Sequence, residues 1–379
     1  MKTSYKYFPV LCSFIALMGF FTACSKNDSV GEPSIKYVRI TRPESSDSLL
    51  VGAGQGRLIA IIGENLQSAT EIWFNDQKAN LTPTYITNKS ILVAVPTPIP
   101  LKITNKLLIK FKNGKELIHD FKVEISKPYI AGMVCEYVNT GDIATIRGDF
   151  FYEPLMVTFA GGVNGQIESV EDQLIKVRIP AGVQPGQITV KTNFGESKSD
   201  FWFRDNRNIF LSSDPFTGWW NASYVVTNPG SGDPIALSGN YIRVKKSIGA
   251  WAWTEVAGGP ASAMGDISKN VPDAAILKPD DYFLKFEVNT IRPYTSNMLK
   301  INVGLNAEDN NAYQWKPPFD TKGQWQTVSI PFEEIVASYA VKPTVNPNGY
   351  WTRLLFHGPG DLDADISFDN FRVVPKVSK

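Results

Sequence analysis

Two stretches of this chain repeat one another about 85 residues apart, which reads as one small domain used twice. Gly56-Arg-Leu-Ile-Ala-Ile-Ile-Gly63-Glu-Asn-Leu66 is followed by Ile72-Trp-Phe-Asn-Asp76 and Ile91-Leu-Val-Ala-Val-Pro96. Gly141-Asp-Ile-Ala-Thr-Ile-Arg-Gly148-Asp-Phe-Phe151 is followed by Val157-Thr-Phe-Ala-Gly161 and Ile175-Lys-Val-Arg-Ile-Pro180. Each copy offers a β-branched run between two glycines and a later run closed by proline, the pattern of a small β-sandwich. On this reading Gly63 and Gly148 release the turn after a core strand, while Pro96 and Pro180 stop the next strand at an edge.

The rest of the chain has the same texture. Short runs rich in Val, Ile, Thr and aromatics, such as Lys106-Leu-Leu-Ile-Lys-Phe-Lys112, Gln187-Ile-Thr-Val-Lys191 and Tyr282-Phe-Leu-Lys-Phe-Glu-Val288, alternate with Gly, Pro, Asn and Asp. Apolar patterns of helical period are scarce, so the predicted fold class is all-β. The organisation it predicts is a leader over 1–23, a tether over 24–33, sandwiches over 34–126 and 127–204, and one larger domain over 205–379. Ser126-Lys127-Pro128 makes a short stiff linker.

The N-terminus sets the compartment. Lys2 and Lys6 precede an apolar run from Val10 to Phe21, and Thr22-Ala23-Cys24 follows. A run of about 12 residues is too short for a hydrocarbon core that needs roughly 20, and reads as an export signal. Phe21-Thr-Ala-Cys24 resembles a bacterial lipobox, which implies acylation of Cys24 and anchoring without spanning. Ser25-Lys-Asn-Asp-Ser29 resembles the tag that sends Bacteroidota lipoproteins to the outer face of the outer membrane. With Cys12 removed and Cys24 acylated, Cys135 has no partner, and the protein must rely on packed cores rather than disulfides.

Composition removes several functions. The 38 basic and 37 acidic residues leave no basic stripe for nucleic acid. His119 and His357 lack neighbours at metal-ligand or triad spacing. No glycine-rich phosphate loop links a strand to a helix. Neither a cofactor nor a metal is expected, although Asp361-Leu-Asp-Ala-Asp365 offers oxygen atoms that a structural calcium would accept.

What stands out instead is tryptophan, with eight of nine beyond residue 200. Flat indole faces suit the apolar faces of pyranose rings. Trp219 and Trp220 follow the turn-like Phe216-Thr-Gly218, and adjacent residues on an extended segment point to opposite sides, so one platform and one core ring are expected. Trp251 and Trp253, if on a strand, share a face about 6.5 to 7 Å apart. Trp315, Tyr350 and Trp351 are secondary platform candidates, with Glu255, Arg292, Asn297 and Asn311 as hydroxyl partners. Trp202 and Trp325 lie in alternating patterns and read as core.

At these residues a family resemblance becomes specific. Both repeats resemble TIG/IPT immunoglobulin-like domains. Asp365-Ile-Ser-Phe-Asp-Asn-Phe-Arg-Val-Val374 and Trp325-Gln-Thr-Val-Ser-Ile-Pro331 resemble strands of a jelly-roll carbohydrate-binding module. Together with Gly239-Asn-Tyr-Ile-Arg-Val244, Trp251-Ala-Trp253 and Tyr350-Trp351, the chain resembles the second surface glycan-binding protein of a Bacteroidota polysaccharide utilisation locus. The resemblance implies a monomeric, non-catalytic lipoprotein that stacks a β-glucan, xyloglucan among them, on aromatic rings. It also implies sandwiches that act as spacers, and an outer-membrane TonB-dependent importer and its SusD-like lipoprotein as partners. The competing readings are a glycoside hydrolase and a protein-binding adhesin. A hydrolase needs two carboxylates about 5 or 6.5 to 9.5 Å apart, and Glu333-Glu334 and Asp280-Asp281, being adjacent, suit that poorly.

Overall fold

A computed structural model describes residues 31–42, 48–304 and 312–377. Cys24 and Asn311, named above, lie outside the described residues. The chain divides into two compact units, Met1–Ile125 and Ser126–Lys379.

In the first unit, strands Ser34–Ile40, Leu58–Glu64 and Ser90–Ala94 form one sheet. Gln77–Lys78, Ala69–Phe74, Lys106–Phe111 and Glu116–Asp120 form the other. Alternate residues of each strand, among them Ile59, Ile61, Ile72, Phe74, Ile91, Leu107 and Ile109, meet in one core. The second unit opens with the same design. Tyr129–Met133, Ile143–Asp149, Leu174–Arg178 and Gln166–Glu171 face Val163–Asn164, Leu155–Phe159, Thr189–Thr192 and Gly195–Lys198 around Ile146, Val157, Phe159, Ile175 and Val190.

The repeated glycines do a different job from the expected turn. Gly63 and Gly148 sit inside strands, each paired with a first strand whose register slips beside them. A Cβ at Gly63 would lie 1.9 Å from the Ser34 carbonyl oxygen, and one at Gly148 1.8 Å from that of Tyr129. Only glycine admits that close backbone approach at the bulge.

The remaining residues form a larger two-sheet domain. One sheet runs Val225–Val226, Tyr241–Ile248, Leu362–Pro375, Tyr282–Thr290 and Gln326–Pro331, with Ile209–Leu211 also paired to the long last strand. The other runs Thr254–Gly259, Thr352–Phe356, Leu299–Val303 and Tyr313–Trp315. Their inner faces share a core of Val244, Leu284, Phe286, Val288, Leu299, Ile301, Leu354, Phe356, Ile366 and Phe368.

Within this unit the outer face of the long sheet is polar, because Lys285, Glu287 and Asn289 alternate with the core residues Leu284, Phe286 and Val288. The second sandwich covers part of that face. Glu136 accepts from Lys285 Nζ at 2.6 Å and Arg372 Nη2 at 2.9 Å, and Arg372 Nη1 donates to Glu287 at 2.8 Å. All four are buried. Thr327 Oγ1 adds a bond to Glu287, and Cys135, Tyr137, Tyr241 and Trp325 pack beside them. Breaking such a pair strands a buried charge, at about 3–5 kcal/mol. Burial holds the Glu287 carboxyl above its ordinary range despite the Arg372 charge, and pushes the Cys135 thiol up, leaving it inert.

Candidate functional site

The exposed tryptophans gather beside the outer face of the four-stranded sheet. On strand Thr352–Phe356, Leu354 and Phe356 enter the core, so Arg353 points outward. Its guanidinium grips Glu255 of the neighbouring strand, with Nε 2.9 Å from Oε2 and a further bond from Nη2 to Oε1. Two indoles flank that guanidinium, with ring centroids 5.1 Å away for Trp220 and 4.8 Å for Trp253. Arg353 is therefore the wedge between two aromatic clusters, a cation–π arrangement on both sides.

On one side, Trp219, Trp220 and Trp351 form a triangle. Centroid separations are 5.9, 5.5 and 6.2 Å, and Trp219 stands nearly perpendicular to both partners. The loop carrying Trp219 is pinned to the sheet by its own amide, which donates to the Gly258 carbonyl at 2.8 Å. Gly258 must be glycine, since its φ is 118° and a Cβ there would lie 2.2 Å from the Thr352 carbonyl oxygen. Asn221 Nδ2 bonds the Glu255 carbonyl and ties the far end of the loop down.

On the other side, Trp251 and Trp253 hold His357 between them, with centroids at 5.5 and 4.9 Å. Trp253 Nε1 donates to Glu255 Oε1 at 2.8 Å, which joins the two clusters through one carboxylate. Trp251 is held in the left-handed region, φ 59°, by its amide bond to the Gly358 carbonyl at 2.7 Å. A non-glycine residue there stores on the order of 1–3 kcal/mol of strain, a feature concentrated at functional sites. Exposure agrees with a surface built for contact, at 61% for Trp219, 57% for Trp251 and 52% for Trp253.

Other candidates go elsewhere. Trp315 is in the core, 8% exposed and packed on Tyr294, Phe286 and Phe319, because its strand turns that side chain inward. Tyr350 is 1% exposed, and its hydroxyl donates to Asp273 at 2.7 Å, with burial pushing the phenol up to about 12. Asn297 is buried and spends its amide on the Gly360 carbonyl and the Met298 amide, so it braces the loop beside His357 rather than facing solvent. Arg292 pairs with Asp363 on the exposed surface, away from the ring contacts. The acidic run is likewise engaged piecemeal: Asp361 accepts from the Ala250 amide, Asp363 from Arg292, and Asp365 from Arg243. Among the described residues no three acidic, His or Cys side chains gather to hold a metal.

Sequence reasoning missed Arg353 and His357, and with them Lys300 and Asn302 on the same outward face, Asn302 lying opposite Arg353 in register. Burial and then the Arg353 charge hold the Lys300 ammonium below the usual lysine range. The alternation around Leu354 and Phe356 signals that Arg353 faces out, but nothing in the sequence pairs it with Glu255.

A two-sheet domain whose outer face carries indoles set edge to face and tilted around one ion pair belongs to the class of β-sandwich that presents aromatic rings to a ligand. Residues 203–375 match the family model described as the surface glycan-binding protein B xyloglucan-binding domain. An IPT/TIG domain-containing protein of Bacteroides ovatus is 22% identical over 99% of this chain and its own full length. The crystal structure of surface glycan-binding protein PbSGBP-B from Prevotella bryantii is similar over 91% of this chain and 99% of its own, with TM-score 0.66 and 24% identity. An SGBP-B from a complex xyloglucan utilisation locus in Bacteroides uniformis is similar over the same shares, with TM-score 0.50 and 18% identity.

Proposed function

We propose that this protein captures a β-glucan, xyloglucan first among them, by stacking pyranose rings on Trp219, Trp220, Trp351, Trp253 and Trp251, and that it does no chemistry on the glycan. The observation that carries the reading is the continuous aromatic surface wedged apart by Arg353 and Glu255. Its rings are not coplanar, since Trp219 stands at 86° to Trp351. A flat crystalline cellulose face would touch only one of them, whereas a single twisted chain can lean on several. The relative from Bacteroides uniformis, named for a xyloglucan utilisation locus, supports the choice of glucan.

Binding without hydrolysis follows from how the carboxylate is used. Glu255 is ion-paired with Arg353 and accepts from Trp253, so its two oxygens are spent on holding the aromatic clusters together. Lipidation at Cys24 and display at the cell surface are part of the same proposal and rest on the lipobox-like N-terminus. An importer and its SusD-like lipoprotein would receive the captured chain. Native affinity electrophoresis in gels containing xyloglucan, mixed-linkage glucan, mannan or xylan tests the proposal when read beside a reducing-end assay. Retardation by a β-glucan with no new reducing ends is expected. Release of reducing ends, or migration unchanged by every glycan, would overturn it.

A further inference from the structure

The tryptophan platform accounts for contact with the apolar face of a sugar but not for how its oxygens are read. Two of the polar partners expected from sequence are engaged elsewhere, Asn297 with the Gly360 carbonyl and Arg292 with Asp363. A different polar group stands on the platform's own face of the four-stranded sheet.

Lys300 lies on strand Leu299–Val303. Its neighbours Leu299 and Ile301 enter the core, so its side chain projects from the outer face, as that of Arg353 does on the next strand. One line of register crosses this face from Glu255 through Leu355 and Lys300 to Gln314. Lys300 is therefore two strand spacings, about 10 Å, from Glu255. Glu255 is the carboxylate to which the Trp253 indole donates, so a ligand on that ring lies close to the same line. Gln314, beyond Lys300, is exposed, which leaves this flank of the face open.

Lys300 is only 8% exposed, and its ammonium carries three donors and no acceptor. Among the described residues no hydrogen bond or carboxylate offsets its charge; burial, then the Arg353 guanidinium, hold it below the usual lysine range. Glu255 does not serve it, because Arg353 already holds that carboxylate through Nε and Nη2. A desolvated cation without a partner is unfavourable. Its place beside an aromatic binding surface makes the ligand the group that completes it, and the ligand must bring an oxygen acceptor.

We propose that Lys300 is a specificity-determining residue of this site, its ammonium donating to an oxygen of the glycan that the tryptophans hold. The acceptor is a hydroxyl of a neutral glucan or the carboxylate of a uronic acid unit, two sources of one chemistry. Capture is then coupled to the lysine's proton. A ligand that accepts from the charged form favours that form, so affinity is highest where the amine is protonated and falls as pH rises. The other charged or titratable groups on this face are Arg353 and Glu255, paired with each other, and His357 between Trp251 and Trp253.

The proposal rests on the platform reading, and its test keeps the two apart. Isothermal titration calorimetry gives Kd for a xylogluco-oligosaccharide and for a cello-oligosaccharide oxidised at C6 to the uronate, at about pH 7 and about pH 10. The proteins are the unaltered chain, Lys300→Met and Lys300→Gln. Lys300→Met exchanges an unpaired buried charge for an apolar chain of similar length, so the thermal transition should not fall. It should raise Kd at least fivefold for the ligand that supplies the acceptor. Lys300→Gln keeps a donor without the charge, so it should recover most of that loss for a hydroxyl and none for a carboxylate. The unaltered protein should bind at least threefold more weakly at the higher pH, and Lys300→Met should abolish that dependence. Unchanged affinity of Lys300→Met for both ligands, or a pH dependence that survives the change, would overturn the role of Lys300 while leaving the platform standing. If the unaltered protein binds neither ligand at the lower pH, the proposed function fails and the role of Lys300 with it.

Discussion

Replacing Trp253 with alanine separates contact from scaffold on one residue. The indole is 52% exposed. An aromatic side chain of this size offers 150–250 Å², so roughly 100 Å² is left for a ligand to cover. At about 25 cal/mol per Å² that contact is worth up to about 2.5 kcal/mol, and 1.4 kcal/mol is tenfold in Kd. Affinity for a β-glucan oligosaccharide should therefore fall by about 5- to 60-fold, read by isothermal titration calorimetry. The same change removes the Trp253 bond to Glu255 and its stacking on Arg353 and His357, interactions worth about 1–2 kcal/mol together at a half-exposed site. For a domain of this size, 1 kcal/mol moves Tm by about 2–4 °C, so the C-terminal transition should drop by only about 2–8 °C and stay cooperative. Unchanged affinity with an intact fold would refute the placement of sugar on this ring. Loss of the folding transition would refute its assignment as surface.

Three further outcomes follow from the packing. Tyr350→Phe should leave glycan affinity within twofold while lowering stability by about 0.5–1.5 kcal/mol through loss of its bond to the exposed Asp273 carboxylate, as denaturant melts would show. Gly258→Ala should destabilise the C-terminal domain by more than about 2 kcal/mol, because a Cβ strikes the Thr352 carbonyl; a neutral result in thermal unfolding would show that the neighbouring strand yields. Asp369 is buried with Oδ2 unpartnered, and burial, then the Glu287 charge, raise its pKa well above the ordinary value. A raised carboxyl pKa favours the fold fully below the unfolded value, and that advantage is lost as pH rises through the folded one. Asp369→Asn should thus stabilise the protein at neutral pH, with the gain shrinking on acidification, as urea melts across pH would record.

Much of the fold was legible because its signals are local. Period-two alternation marks Tyr282–Thr290, short apolar runs mark Leu58–Glu64 and Lys106–Phe111, and the repeat announces two like sandwiches. The reason for Gly63 and Gly148 was not legible, since the carbonyl each would strike belongs to a strand far back in sequence. At the site, enrichment in tryptophan located the surface but periodicity misplaced its geometry. Trp219 and Trp220 do not split between surface and core, because they sit on a loop pinned by Gly258 and share one cluster. Trp251 and Trp253 flank His357 because Trp251 is in a left-handed turn rather than a strand. Tyr350 and Trp351, adjacent in sequence, part between core and cluster. Trp202 is only half-buried, under the Arg207 guanidinium at 3.6 Å. The Arg353–Glu255 pair spans 98 residues and forms only once the sheet is assembled.

The central claim is that glycan lies across both tryptophan clusters, and one spectrum addresses it. With ¹⁵N-labelled indoles and micromolar additions of a xylogluco-oligosaccharide, the cross-peaks of Trp219, Trp220, Trp251, Trp253 and Trp351 should shift together along one binding isotherm. Those of Trp73, Trp202 and Trp315 should stay in place. Shifts confined to Trp73 or Trp202, or no shift with any β-glucan, would contradict the account.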